Sequence, residues 1–153
     1  MYKKMMVVTF LLASPASWGE DKIKQDVADT ATGDMRQLVV MPDASREFMR
    51  QQMLTNLMAL NEIIGYLAES NLDAAAEIAE TKMGRSTMGK YQGTGMGPGR
   101  YMPIGMRNIA FGMHDAATEF SNVAKQGDVK HAYAALQKVS NSCVACHYSY
   151  RTR

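Results

Sequence analysis

The chain has 153 residues, 46% hydrophobic and 21% charged, with 14 methionines, 12 glycines and only two cysteines. That length is enough for one domain with a core of its own. The 17 basic residues nearly balance the 15 acidic ones, so the electrostatic footprint of a nucleic-acid-binding protein is missing.

At the N-terminus, Lys3 and Lys4 precede an apolar run from Met5 to Ala13, and small residues follow from Ser14 to Gly19 around Pro15. This is the layout of a secretory signal, expected to span residues 1–19 with a cut before Glu20. Ser14 and Ala16 offer an earlier cut. The run is far shorter than the roughly 20 residues that span a bilayer, and no later stretch is longer. We therefore expect a soluble, exported, periplasmic protein with no stable membrane insertion. Losing Lys3 and Lys4 leaves 15 basic residues against 15 acidic ones, a mature formal charge of zero.

Residues 20–42 are polar and weakly periodic, and are read as an extended or partly disordered arm. Within it, Leu38-Val39-Val40-Met41 is apolar enough to pack on a core, and Pro42 keeps it out of the following helix. The first helix is expected to start at Asp43 or Ser45, either of which can cap, and to run to about Ser70. Met53, Leu57, Leu60, Ile64 and Leu67 are spaced 4, 3, 4, 3, which predicts its inward stripe. A brief link then leads to a short second helix opened by Asn71 or Asp73, with Leu72, Ala76, Ala79 and Met83 facing inward. Gly84 ends it.

The stretch to Gly105 is rich in glycine and carries Met88, Met96, Met102 and Met106 at or near its length. It is read as a long loop. It lacks the G-K-[ST] ending and preceding strand of a phosphate cradle. Four thioethers are chemically suited to copper(I), but methionine also fills irregular gaps, and packing of the loop over the core is the reading taken.

The third helix is expected from Pro103 or Ile104, with Met106, Ile109, Met113, Ala116, Phe120 and Val123 spaced 3, 4, 3, 4, 3. His114 lies beside that stripe, at the surface or its boundary. Gly127 ends the helix and Asp128 caps the fourth. There Leu136, Val139, Cys143, Cys146 and Tyr150 are spaced 3, 4, 3, 4. Four helical stripes and no alternating strand pattern predict an all-α, antiparallel four-helix bundle over residues 43–153.

Cys143-Val144-Ala145-Cys146-His147 is the attachment signature of a c-type haem. Two thiols must reach two vinyl groups on one side of the porphyrin, and the next residue must place an imidazole under the iron. Positions i, i+3 and i+4 lie on one helical face and meet all three demands. Three other uses of the residues compete. The thiols could pair as a disulfide in an exported chain. A thioredoxin-like C-x-x-C follows a strand and opens a helix, whereas this one comes late in a helix. A zinc site needs four ligands, and His114 and His131 are the only other imidazoles. His131 is too far along the helix to share an iron with His147. Covalent haem c, one per chain, is the reading adopted. No Ser/His/Asp set or paired catalytic carboxylates appear, so a carrier is expected rather than an enzyme.

The tail continues to Tyr150 and Arg151. C-x-x-C-H-x-x-Y-R closing a helical bundle resembles the cytochrome c prime family, including its low-spin, methionine-ligated members; the specific likeness covers about the last 25 residues. The resemblance implies a bundle around one haem with His147 as proximal ligand, Tyr150 and Arg151 near it, and in some members a homodimer. It implies either electron exchange with periplasmic redox proteins or, with a five-coordinate iron, binding of nitric oxide or carbon monoxide. It also implies that the sixth iron position is met from the first helix a few residues after an arginine. Here Arg50 is followed by Met53 and Leu54. Met53 on the inward stripe is the ligand expected; strict register favours the non-ligand Leu54, and Met49 and Met58 are fallbacks. A peroxidase would need a distal acid/base pair, and none can be placed.

Overall fold

The computed structural model describes residues 33–91, 93–95 and 97–153. The proposed signal and the first part of the arm lie outside the described residues. Met1–Met35 and Arg36–Arg153 form separate units, and the second holds the fold. Of the first, the described part ends in an exposed Met35.

Four helices make up nearly all of the second unit: α1 (Asp43–Ala68), α2 (Leu72–Ile78), α3 (Ile104–Ala124) and α4 (Val129–Ser149). The fold is an all-α four-helix bundle. Pro42 occupies the N-cap of α1 without a side-chain bond, so neither Asp43 nor Ser45 caps it; Ser45 is buried instead. Asn71 caps α2 through Ala74 N, and Asp128 caps α4 through His131 N, each satisfying an orphan amide of a first turn. Gly127, at φ +83°, makes the tight turn between α3 and α4 that a side chain would strain. One turn of π-helix, Ala79–Met83, extends α2, and Gly84 terminates it.

The main core joins all four helices. Ile63, Leu67, Met83, Phe120 and Val139 are almost wholly enclosed, with alanines of α2, α3 and α4 filling the close approaches. α1 packs chiefly on α2, α3 packs on α4, and α2 with its π-turn bridges to α3.

The inward stripe expected for α1 is corrected by this arrangement. Met53, Leu57 and Ile64 are exposed, at 40%, 63% and 48%, and only Leu67 of the expected set is buried. The enclosed face instead runs through Met49, Ala59, Ile63 and Leu67, with Gln52 and Asn56 half-buried at intermediate turns. It is set back by one residue, about 100° around the helix. Ala59 wins because α1 must approach the alanines Ala75, Ala76 and Ala79 of α2 closely, and a leucine in that seam would hold the helices apart.

Two short 3-10 turns, Arg85–Thr87 and Pro98–Arg100, interrupt the long loop. Its first half is tied down at two points. Phe48 of α1 meets Tyr91 edge to face, centroids 4.6 Å apart. At the loop's start, the Glu80 carboxylate accepts hydrogen bonds from Ser86 N at 2.9 Å and Thr118 Oγ1 at 2.6 Å. His114, half-buried as expected at a boundary, donates Nδ1–H to Met83 O at 2.7 Å.

One element was not foreseen. Gln37–Leu38 (β1) pairs in parallel with Tyr150–Arg151 (β2), Gln37 opposite Tyr150 and Leu38 opposite Arg151. Two residues per strand are too few for a period-2 signal to show in the sequence. The arm does pack where its apolar run suggested: Val39 and Met41 are buried and Val40 is exposed.

Candidate haem site

The C-x-x-C-H motif occupies the last turns of α4. Cys143 and Cys146 are half-buried, and His147 is exposed on the helix end. Both thiols are free, so the disulfide alternative is not what this structure contains. Burial pushes both thiols above their ordinary pKa, for Cys146 with a further push from the neighbouring Cys143. They are thus held as neutral thiols. Among the described residues no group of three or more His, Cys, Asp or Glu side chains converges as a metal cluster.

What surrounds Cys146 is a second apolar cluster, separate from the main core. Val39, Met41, Met49 and Met106 are its buried members, and Tyr101, Met102, Cys146 and Tyr150 pack against it. It gathers the arm, the start of α1, the end of the long loop, the start of α3 and the end of α4. Four thioethers, Met41, Met49, Met102 and Met106, and Cys146 thus share one apolar neighbourhood. Met53 is not part of it. Met88 is exposed at the surface, so it does not join Met102 and Met106, and Met96 lies outside the described residues.

The end of α4 is clasped from two sides. Tyr150 is the C-cap, in extended conformation, and its amide bonds Cys146 O. Its position corrects the sequence reading: Tyr150 and Arg151 leave the helix and form β2, so Arg151 does not lie one helical turn beyond His147. The Arg151 guanidinium instead donates through Nε to Arg36 O at 3.2 Å, and Val39 N donates to Arg151 O at 2.8 Å. Arg36 reaches back to His147 O at 3.5 Å. The last carbonyls of a helix have no partners within it; here residues more than a hundred positions upstream help to supply them. On the other side, Tyr150 lies across the first turn of α3 at Gly105.

Two further atoms bear on what the site holds. Arg46 Nε on α1 and Arg107 Nε on α3 are buried and have no hydrogen-bond partner among the described residues. Arg46 lies one turn before Met49 in α1, and Arg107 follows Met106 in α3 and donates through Nη2 to Met102 O. Neither was singled out in the sequence. Arginine at those positions reads as solvated surface until the packing is known.

The donor set fits a haem: two thiols one turn apart, an imidazole in the next position, an apolar thioether-lined neighbourhood and cationic donors beside it. An all-α bundle closing on C-x-x-C-H has the architecture of a c-type cytochrome. Residues 104–151, which are α3, α4 and β2, match the family model described as Cytochrome C', so this part of the chain is similar to that family. It implies a haem cofactor and does not reach α1 or α2. No curated protein and no solved structure gives a significant match to the chain.

Proposed function

We propose that this is an exported, periplasmic mono-haem cytochrome that carries electrons, with haem bound covalently through Cys143 and Cys146 and His147 as the proximal iron ligand. The haem supplies the redox chemistry; the chain sets its ligation, access and potential. The observation that carries the reading is the second cluster: Cys146 lies with buried thioethers of α1 and α3 rather than with a polar distal pocket.

The identity of the sixth ligand decides between carrier and gas binder. Met53 is the ligand expected from the sequence, but it is 40% exposed and outside the cluster, whereas Met49, one turn earlier on α1, is 7% exposed and within it. We therefore favour a His/Met iron with Met49 as the thioether and Met53 as the alternative. Such ligation raises the reduction potential and suits electron transfer. The second reading is a five-coordinate iron that binds nitric oxide or carbon monoxide. Periplasmic redox proteins would be the carrier's partners, met at the haem edge. The exposed flank of Met53, Leu57, Met58 and Ile64 supports a homodimer. No enzymatic role is proposed.

The test is the visible spectrum of the oxidised holoprotein, followed near 695 nm, where iron–thioether bonding is expected to show. Loss of that band in Met49→Ala and its retention in Met53→Ala support the assignment; the reverse moves it to Met53. A wild-type protein already high-spin and rapidly binding carbon monoxide when reduced supports the gas-binding reading instead.

A further inference from the structure

The haem reading makes no use of the polar ground between α1, the π-turn and the start of the long loop. A cavity of about 220 Å³ lies there. α1 contributes Thr55 to its lining, the π-turn Thr81 and Lys82, and the loop Thr87, Lys90 and Tyr91. With Gln52 these make a wholly polar wall in which two side chains are cationic and none is a carboxylate. Among the described residues neither Lys82 nor Lys90 has an ion-pair partner.

The walls are held by contacts that do not use the cavity. Met83, at the end of the π-turn, is buried, and its carbonyl accepts from His114 Nδ1 at 2.7 Å. Ser86 N on the Glu80 carboxylate fixes the first turn of the loop, and Tyr91 is set against Phe48 of α1. A π-turn is rare, and one kept inside a helix often marks a functional site. This one presents Thr81 and Lys82 to the cavity while Ala79 and Met83 stay in the core. Each threonine has its one hydroxyl proton already committed. Thr55 Oγ1 donates to Gln51 O at 3.0 Å, Thr81 Oγ1 to Glu77 O at 2.8 Å, and Thr87 Oγ1 to Gly84 O at 2.7 Å. Their oxygens remain as acceptors, whereas an ammonium group only donates.

We propose that this cavity binds inorganic phosphate in a form that keeps a proton. Two ammonium groups lining one space without a carboxylate repel each other, and an oxyanion held between them turns that repulsion into two charge-assisted hydrogen bonds. The threonine oxygens add a second demand: the anion must also donate. Hydrogen phosphate does both. Sulfate carries no proton near neutral pH, so it sets lone pairs against the threonine oxygens. A phosphate monoester loses its second proton with a pKa of about 6 and meets the same opposition above neutrality. The space takes one phosphate with part of its water shell, a water's share of volume being about 30 Å³. No lining residue belongs to the Cys143, Cys146 and His147 motif, so the proposal stands apart from the haem reading.

The experiment is calorimetric titration of the purified exported holoprotein, slightly above neutral pH, with sodium phosphate. Sodium sulfate and glycerol 3-phosphate are titrated at matched ionic strength. We expect one saturable phosphate site per chain, with the other two anions weaker by about tenfold or more, as one lost hydrogen bond to a charged group implies. Lys82→Gln and Lys90→Gln are each expected to weaken phosphate binding by about tenfold or more on the same ground. Thr81→Val removes one acceptor and is expected to narrow the gap between phosphate and sulfate. All three positions are exposed, so the variants are expected to fold, and circular dichroism checks each. No saturable phosphate binding overturns the proposal, and so does binding that a folded double Lys→Gln variant retains. Sulfate or glycerol 3-phosphate held as tightly as phosphate overturns the assignment of a protonated oxyanion, and this comparison needs no variant. A chain without covalent haem overturns the functional reading instead, a separate result read from its mass.

Discussion

The phenol oxygen of Tyr150 lies 2.6 Å from the point where a β-carbon on Gly105 would sit. The residue that ends the haem-motif helix is therefore seated on the bare backbone of α3's first turn. Only a glycine leaves that space. Gly105→Ala is expected to destabilise the fold by about 1–3 kcal/mol, the usual cost of overpacking, although alanine is the better helix former. Tyr150→Phe removes the offending oxygen; the next ring atom is 3.9 Å away, an ordinary contact. The double variant should recover much of the loss in a denaturant titration. Additive losses would show that the two residues do not compete for this space.

The arm contributes a second hold on the same turn. Val39→Pro removes the amide that donates to Arg151 O. A hydrogen bond of this kind is worth about 1 kcal/mol, so opening of the β1–β2 pair should become about fivefold easier. Amide exchange around Ser149 to Arg151 is expected to speed up accordingly, while amides in the middle of α2 keep their rates. Unchanged exchange at the end of α4 would mean that the arm merely lies on it.

Met49 and Met53 should differ in stability as well as in spectrum. Met49→Ala empties part of the second cluster and is expected to cost about 2–4 kcal/mol. Met53→Ala, on an exposed flank, is expected to cost less than about 1 kcal/mol. Equal losses in thermal or urea unfolding would contradict the placement of α1's buried face.

The latch at Glu80 gives a pH dependence. Burial alone would raise the carboxyl's pKa, but the hydrogen bonds from Thr118 and Ser86, with Lys125 nearby, outweigh it and hold the group below its ordinary 4.5. A pKa lowered by folding contributes stability that is fully present above the unfolded value and is lost as pH falls through the folded one. Thr118→Val is therefore expected to cost about 1–2 kcal/mol at pH 7. The gap between variant and wild type should narrow as the pH falls from 4.5 through the lower value of the folded wild type, and close only below that, where Glu80 is protonated in both. A gap that is constant with pH would assign the loss to packing rather than to the carboxylate.

Much of the fold was legible from the chain. The apolar stripes of α3 and α4, the caps Asn71 and Asp128, and the stops at Gly84 and Gly127 all act as local chemistry requires. The motif Cys143, Cys146 and His147 could be picked out by its spacing alone. α1 was misread because the true seam contains the polar Gln52 and Asn56 and the small Ala59, so a stripe of larger apolar residues one step away looked better. The departure of Tyr150 and Arg151 from the helix depends on pairing with residues more than a hundred positions upstream. Helical periodicity carries no trace of that. Arg46 and Arg107 were invisible because a buried, unpartnered nitrogen is a property of packing, not of composition.

The central claim is that Cys143 and Cys146 carry a covalent haem. Mass spectrometry of the purified exported protein after acid denaturation tests it most directly. The account predicts one haem retained per chain, with the chain beginning at or near Glu20. A mass equal to that of the bare polypeptide, or a disulfide joining the two cysteines, would contradict it.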